Sequence, residues 1–483
     1  MLSATGGLLL AAPTALAFFS GGYFDEARAW AGAGVWLAVV VAALAGARVP
    51  RERSAWLALG SLALLAAWTL LSLTWAPIAG RAYHAGQIAI LYLGALLAAA
   101  TLLRGRLLSW VEPALAAGTV IVVGYGLAGR LLPGWLHYAR SVSAGGRLEQ
   151  PLTYWNAMGE LAALGLVLCA RLAGDRARPR GLRAAAVAAC APLGLGLYVS
   201  FSRGALFAGL AGLIALLTMA PRREQLQGIA ASLAAAVLAA LASAAFSGVT
   251  ALSGSLSSRE TQGAIVLLLL VVVAGLTGTA HYILGNRGVQ GELRLPPRTP
   301  WIAAGAIAIG LALAIVVGAR ESSVRSQALA GGATRLVSLQ SNRYDYWSVA
   351  IRAFASSPLH GVGAGGWSVD WLRWRHVNEA AQDAHSLPLQ TLAELGLVGI
   401  VLLAGFVTGV VLAAARALRR SRSAVGPAAA VVAYFAHSPL DWDWQMPALT
   451  LVAIALIGAL LAIGDTDATS GPAAAERSAG LPA

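Results

Sequence analysis

The chain has 483 residues, of which 58% are hydrophobic and 11% charged, and its mean hydropathy is +0.72. A water-soluble domain is about 25% charged, so these charges are too few to clothe a soluble protein of this size, and lipid must solvate much of the surface. The formal charge is +13 and every basic residue is Arg, set in short loops between apolar runs. That placement reads as membrane topology signals and argues against nucleic acid as a partner.

A membrane-crossing helix needs about 20 mainly apolar residues. In chain order the pattern predicts spans near 5–22, 29–47, 55–76, 85–103, 108–128, 154–172, 183–201, 203–220, 226–246, 263–285, 301–318, 386–415, 425–439 and 446–464. The first has no basic stretch before it and is read as a retained span, interrupted at Pro13, rather than a signal peptide. Cys169 and Cys190 lie inside apolar runs and read as small core residues. Six Arg clusters each follow an even-numbered span: 48–53, 104–106, 171–183, 222–223, 287–298 and 416–422. The positive-inside rule then places those exits and both termini in the cytoplasm. The chain thus divides into an N-terminal bundle (1–318), a large outer loop (319–385), C-terminal spans (386–464) and a tail (465–483) whose composition predicts disorder.

Within the outer loop, 342–356 has the spacing of an amphipathic helix, with Tyr346, Trp347, Ala350, Ile351 and Phe354 on one face. A flexible Gly-rich turn, 361–366, is expected to end it, and Trp367, Trp371 and Trp374 suit the membrane–water interface. The turn has no Gly-Lys-Ser/Thr and follows a helix, so it is not a nucleotide loop.

The chemistry-bearing residues collect on the predicted outer side. His385, in Asp383-Ala384-His385-Ser386-Leu387-Pro388, precedes a span that Ser386 would cap; it is a candidate general base or a loop histidine bonded locally. Gln390 and Glu394 follow on one helical face, Glu394 as an intramembrane acid that orients a catalytic group or pairs with an Arg. Glu160 carries the same ambiguity. Arg203 opens the eighth span at a tight turn, Arg343 opens the loop helix, and Arg147 lies in the other long outer loop. Guanidinium binds phosphate bidentately; the plainer alternative is ion pairing with Glu149, Asp345 or Asp383. His437 and Asp441 occupy the last outer turn, where a carboxylate can orient an imidazole or bind a sugar hydroxyl, or where the turn is merely interfacial. No His-Glu-x-x-His or Cys/His spacing indicates a metal.

Taken together, Ser202-Arg203-Gly204, Arg343-x-x-x-Trp347, Pro358-Leu359-His360-Gly361-Val362-Gly363-Ala364-Gly365, Asp383-Ala384-His385-Ser386 and Leu389-Gln390-x-x-x-Glu394-Leu395-Gly396 resemble the O-antigen ligase and polymerase family of bacterial membrane glycosyltransferases. Pro151-x-x-Tyr154-Trp155-Asn156 is similar to a further family segment, and the resemblance spans roughly 145–445. It implies an all-α polytopic membrane protein, a GT-C-like bundle of about 12–14 transmembrane helices with one large outer loop containing short helices. It also implies an undecaprenyl-pyrophosphate-linked glycan donor, inverting transfer without metal or other cofactor, and a plasma-membrane location. By motif, His385 would deprotonate the acceptor and Arg203 and Arg343, with Arg147 beside them, would bind pyrophosphate. Asp383, Gln390, Glu394, His437 and Asp441 would support the site or bind the acceptor, itself a glycolipid, polysaccharide or protein. A polymerase using the same donor is the nearest alternative, and a lipid-glycan flippase or transporter the alternative of another class.

Overall fold

The computed structural model describes residues 2–139, 141–285, 287, 291–296, 298–321 and 342–465. Part of the outer loop (322–341) and the tail expected to be disordered (466–483) lie outside the described residues. Among the described residues the regular structure is helical, joined by turns and loops, with one isolated bridge between Arg222 and Glu292. The helices are α1 (Leu2–Ala17), α2 (Asp25–Leu44), α3 (Arg53–Leu71), α4 (Ala79–Leu102), α5 (Leu108–Leu131), α6 (Trp155–Gly174), α7 (Arg180–Ser200), α8 (Arg203–Met219) and α9 (Arg223–Ala244). After the short α10 (Ser247–Thr250) come α11 (Leu256–Leu284), α12 (Thr299–Glu321), α13 (Arg343–Ser356), α14 (Trp367–Trp374), α15 (Leu387–Arg420), α16 (Val425–His437) and α17 (Pro447–Gly464).

Among the described residues, α2–α7, α9, α11, α15 and α17 are ten helices long and apolar enough to cross a membrane; α1, α8 and the 301–310 stretch of α12 are shorter apolar helices. The chain is a polytopic all-α membrane protein. Contrary to expectation, α1 runs through Pro13 unbroken. The centre is built from α6 and α17, wholly enclosed by neighbours, while α11 sits at the rim with most of its surface open to lipid. Small residues let α6 be central: Gly159 lies against Ser200 and Ser202, and Gly165 against Thr119 and Leu193, so backbones approach closely.

Contacts gather the Arg clusters at one end of the bundle. The backbone amide of Arg51 and the side chain of Arg104 both bond Asp465; Arg416 and Arg420 pair with Glu52; Arg178 pairs with Glu112; and Arg171 donates to the Arg422 carbonyl. The opposite end carries the turn between α1 and α2, the N-terminus of α4, the segments before α6 and α8, α13, α14 and the α16–α17 turn. The predicted site residues lie on these elements and on the segment before α15 and its first turns, which carry Asp383, His385, Gln390 and Glu394.

The 34-residue α15 is two helices joined at a break, not one span. Gly396 sits at φ +64°, ψ −158°, outside helical space. A break inside apolar surroundings frees backbone groups that water cannot reach. Here the Gly-rich turn takes them: Val362 and Gly363 donate to the carbonyls of Ala393 and Glu394, Leu397 donates to Pro358, and the Trp68 indole donates to Leu395. The turn expected to be flexible is therefore a docked plug. Gly361 (φ +72°) lies so close to the Glu394 carbonyl that a Cβ would overlap it.

Candidate active site

The outer-loop residues have their own core, and it overturns the interfacial reading of the tryptophans. Trp367 and Trp371 are fully buried and stacked on each other, centroids 5.5 Å apart at 13°. Tyr346 meets both edge-on, the Trp371 indole donates to the Glu379 carbonyl, and the Tyr346 hydroxyl donates to the Glu379 carboxylate at 2.6 Å. This cluster fixes α13 and therefore Arg343 at its start.

His385 stands against the same cluster. Its ring lies 5.0 Å from that of Tyr346 on one side and 5.9 Å from that of Trp442 on the other. Its backbone is in the left-handed region, φ +52°, a conformation non-glycine residues rarely hold without support. Nδ1 is 2.9 Å from the Asp383 carbonyl oxygen. A carbonyl can only accept, so Nδ1 carries the proton and Nε2 presents its lone pair when the ring is neutral. The Asp383 side chain is held in turn by Gln390, whose amide donates at 2.8 Å. Burial pushes the Asp383 carboxyl up, against the pull of Gln390, His385 and Arg81. Ser386 occupies the cap position of α15, but its side chain makes no cap bond; Pro388 sits in the first turn as expected.

Across His385 lies a cationic cluster. Arg343 donates to Asp441 at 2.5 Å, and the Tyr154 hydroxyl donates to the other Asp441 oxygen at 2.6 Å. Asn156 donates to that same hydroxyl at 2.8 Å. Asp441 is fully buried. Burial alone would raise its carboxyl, but Arg343, with His385, His437 and Tyr154, holds it below the usual carboxylate range. Arg343 shows the converse: burial lowers it, and Asp441 together with Tyr154 and Tyr346 more than offsets that. Arg343 therefore pairs with Asp441, not with the neighbouring Asp345.

Arg147 joins from the loop before α6. Its guanidinium lies 3.8 Å over the Trp155 ring and donates to the Ala144 and Ser143 carbonyls, while Nη1 is buried without a hydrogen bond. Glu149, the partner anticipated for it, instead accepts from the amide and hydroxyl of Ser141. Burial, helped by nearby Arg343 and opposed by Tyr154 and Glu149, lowers the Arg147 pKa to about 10. Arg203 starts α8 behind Phe201 (φ +49°), with Ser202 capping the helix through the Ala205 amide. The next residue, Gly204, abuts His437, which brings Arg203 to the same end of the bundle.

The sequence left open whether a carboxylate of the last outer turn orients His437; the structure pairs His437 with Asp443, at 2.7 Å, both side chains fully buried. Glu160 lies in the field of this pair, and both its oxygens are buried without a hydrogen bond. Neither Glu160 nor Glu394 has an Arg partner among the described residues. Glu394 instead faces the Gly365 and Trp367 amides. Tyr154 entered the sequence reading only as part of a family segment, and Trp442 was not singled out, although the dense aromatic and acidic 441–444 turn was the available signal. Among the described residues no group of three or more His, Cys, Asp or Glu converges as a metal site would need.

Residues 259–404 match the O-antigen ligase family. The resemblance read from the motifs is thus supported independently. The match runs from α11 into α15, taking in Arg343, Asp383, His385, Gln390 and Glu394; Arg147, Arg203, His437 and Asp441 lie beyond it. No curated protein matches the chain. The family's general activity is that of a membrane glycosyltransferase of ligase or polymerase type.

Proposed function

We propose that this protein transfers a glycan from an undecaprenyl-pyrophosphate donor to an acceptor hydroxyl at the outer face of the plasma membrane, on a GT-C-like scaffold. The observation that carries the reading is the meeting, around Asp441, of a guanidinium fixed for phosphate (Arg343) and a histidine whose Nε2 lone pair is available (His385). Arg343, with Arg203 and Arg147, receives the pyrophosphate. The acceptor hydroxyl gives its proton to His385 Nε2 as its oxygen bonds the anomeric carbon. The bond from that carbon to the pyrophosphate oxygen breaks, configuration inverts, and the lipid pyrophosphate leaves with the electron pair. The leaving group is already activated, so positioning, one base and charge stabilisation suffice.

A discontinuous helix is also a transporter feature. In α15, however, the freed backbone groups are bonded to the Gly-rich turn and Trp68 rather than left facing a passage. A ligase and a polymerase would use the same residues and differ in acceptor.

Purified protein with an undecaprenyl-pyrophosphate glycan tests the reading. His385→Ala should lower transfer by about 10²–10⁴ while donor binding persists. Arg203→Ala and Arg343→Ala should each weaken donor binding. Full transfer by the His385 variant would remove the mechanism.

A further inference from the structure

A cavity of about 410 Å³, lined by Asp383 but not by Arg343 or Asp441, opens between the α1–α2 turn, the N-terminus of α4 and the start of α15. Its volume falls in the range of small-ligand sites. The transferase reading leaves its α2 and α4 residues without a role.

Its chemistry is that of a polyol site. Asp25 is occupied internally, by Arg28 and by His84 at 3.1 Å. Three groups remain to face a ligand. Arg81, its stem packed over Gly365, makes no hydrogen bond or ion pair among the described residues. Glu394 is buried, lines the cavity and has one oxygen without a hydrogen bond. Asp383 lines it too, held by Gln390, with the amides of Gln382 and Gln445 beside it. Carboxylates accept from sugar hydroxyls, and amides and guanidinium donate to sugar oxygens. A second anionic group fits poorly, because Asp383 and Glu394 would oppose it and Arg81 is the one cation not already paired with Asp25.

The position relative to the base is equally specific. Asp383 joins cavity and base, its carbonyl on His385 Nδ1 and its carboxylate on the cavity wall. Trp442 touches Tyr23 of the cavity (5.4 Å), His385 (5.9 Å) and Tyr154 of the Arg343 cluster (4.7 Å), and so links the cavity to that cluster with the base beside it. An apolar groove of about 380 Å³ runs between α1 and α2 from Leu16 and Ala31 toward Leu8 and Val41. Its upper end, at Ala31, is one helical turn from Arg28 in the cavity.

We infer that this cavity is the sugar subsite for the acceptor, a glycolipid whose headgroup is held by Arg81, Asp383 and Glu394 and whose hydrocarbon chain lies in the α1–α2 groove. This rests on the transferase reading for its role, but sugar binding is measured without donor and so is separable from it.

The test uses full-length protein in nanodiscs. A panel of methyl glycosides is titrated by saturation-transfer NMR, and undecaprenyl pyrophosphate binding is measured in parallel. At least one glycoside should bind, and both Arg81→Ala and the exposed Gln382→Ala should weaken it, Arg81→Ala by about tenfold, as expected for a charge-assisted hydrogen bond. Arg343→Ala should leave glycoside binding intact, and Arg81→Ala should leave undecaprenyl pyrophosphate binding intact. An alkyl glycoside carrying a diazirine on its chain should cross-link to α1 or α2. No glycoside binding, binding indifferent to both cavity variants, or loss of undecaprenyl pyrophosphate binding in Arg81→Ala would each overturn the subsite; cross-linking confined to other helices would overturn the groove.

Discussion

Arg343, from the outer-loop helix, and Asp441, from the last inter-helix turn 98 residues further along the chain, meet at 2.5 Å. Removing one partner of such a pair strands the other, a loss of about 3 kcal/mol. Asp441→Asn should therefore lower the melting temperature at neutral pH and weaken donor binding by freeing Arg343 to move. The pH dependence has a definite sign. The folded-state pKa of Asp441 is depressed, so its contribution is complete above the unfolded value of about 3.9 and disappears as pH falls through the folded value. Melting temperatures from pH 7 down to about 3 should show a steeper acid limb in wild type than in the variant. Superimposable profiles would mean that the pair does not stabilise the fold.

Gln390 touches no proposed reacting atom, yet it holds Asp383, whose carbonyl sets the His385 tautomer. As a positioning residue it should act on turnover rather than on donor affinity. Gln390→Ala should lower kcat about tenfold, the scale of one lost hydrogen bond to a charged group, with undecaprenyl pyrophosphate binding unchanged. A fall in donor affinity with kcat intact would assign Gln390 to binding instead.

The break in α15 predicts a sharp contrast between glycines. Gly396 has φ +64° and faces the Leu359 carbonyl, so a methyl group there meets both a backbone penalty and a backbone atom. Gly396→Ala should cost at least about 2 kcal/mol and undock the Gly-rich turn. Gly275, in α11, has open space around it, and Gly275→Ala should stabilise by about 0.5–1 kcal/mol. Thermal shifts of the two variants in one detergent would decide; a Gly396 variant as stable as wild type would show that the plug is not needed.

How much of this was legible in the sequence differs by physical cause. The spans were readable because lipid imposes a length and a composition on each of them independently. His385 and Arg203 stood out as candidates because an ionisable residue at the start of an apolar helix is expensive, and Arg343 because it opens the amphipathic loop helix. What escaped were relationships between distant segments. Nothing local in Gly361–Gly366 says that its amides will complete a broken helix at Ala393 and Glu394, and a Gly-rich stretch looks the same whether docked or loose. Which acid orients His437 was not legible, because Asp441 and Asp443 differ by two positions in a tight turn, and only the fold decides which one faces the ring. Arg81 and His84 were not singled out, since the groups that make them a cavity wall, Asp383 and Glu394, arrive from the other end of the chain.

The orientation in the membrane is the remaining expectation with a direct test. The Arg clusters that meet at one end should face the cytoplasm, by the positive-inside rule, and the His385 end should face outward. The two native thiols help, because Cys169 and Cys190 are buried among α6 and α7 and should label slowly. Val142, fully exposed beside the Arg147 loop, and Arg180, exposed at the start of α7, mark the two ends. With a membrane-impermeant maleimide on intact spheroplasts, Val142→Cys should label at once and Arg180→Cys only after the membrane is opened. The reverse pattern would put the His385 end in the cytoplasm, where a flipped lipid-linked glycan is not present, and would overturn the proposed reaction along with the topology.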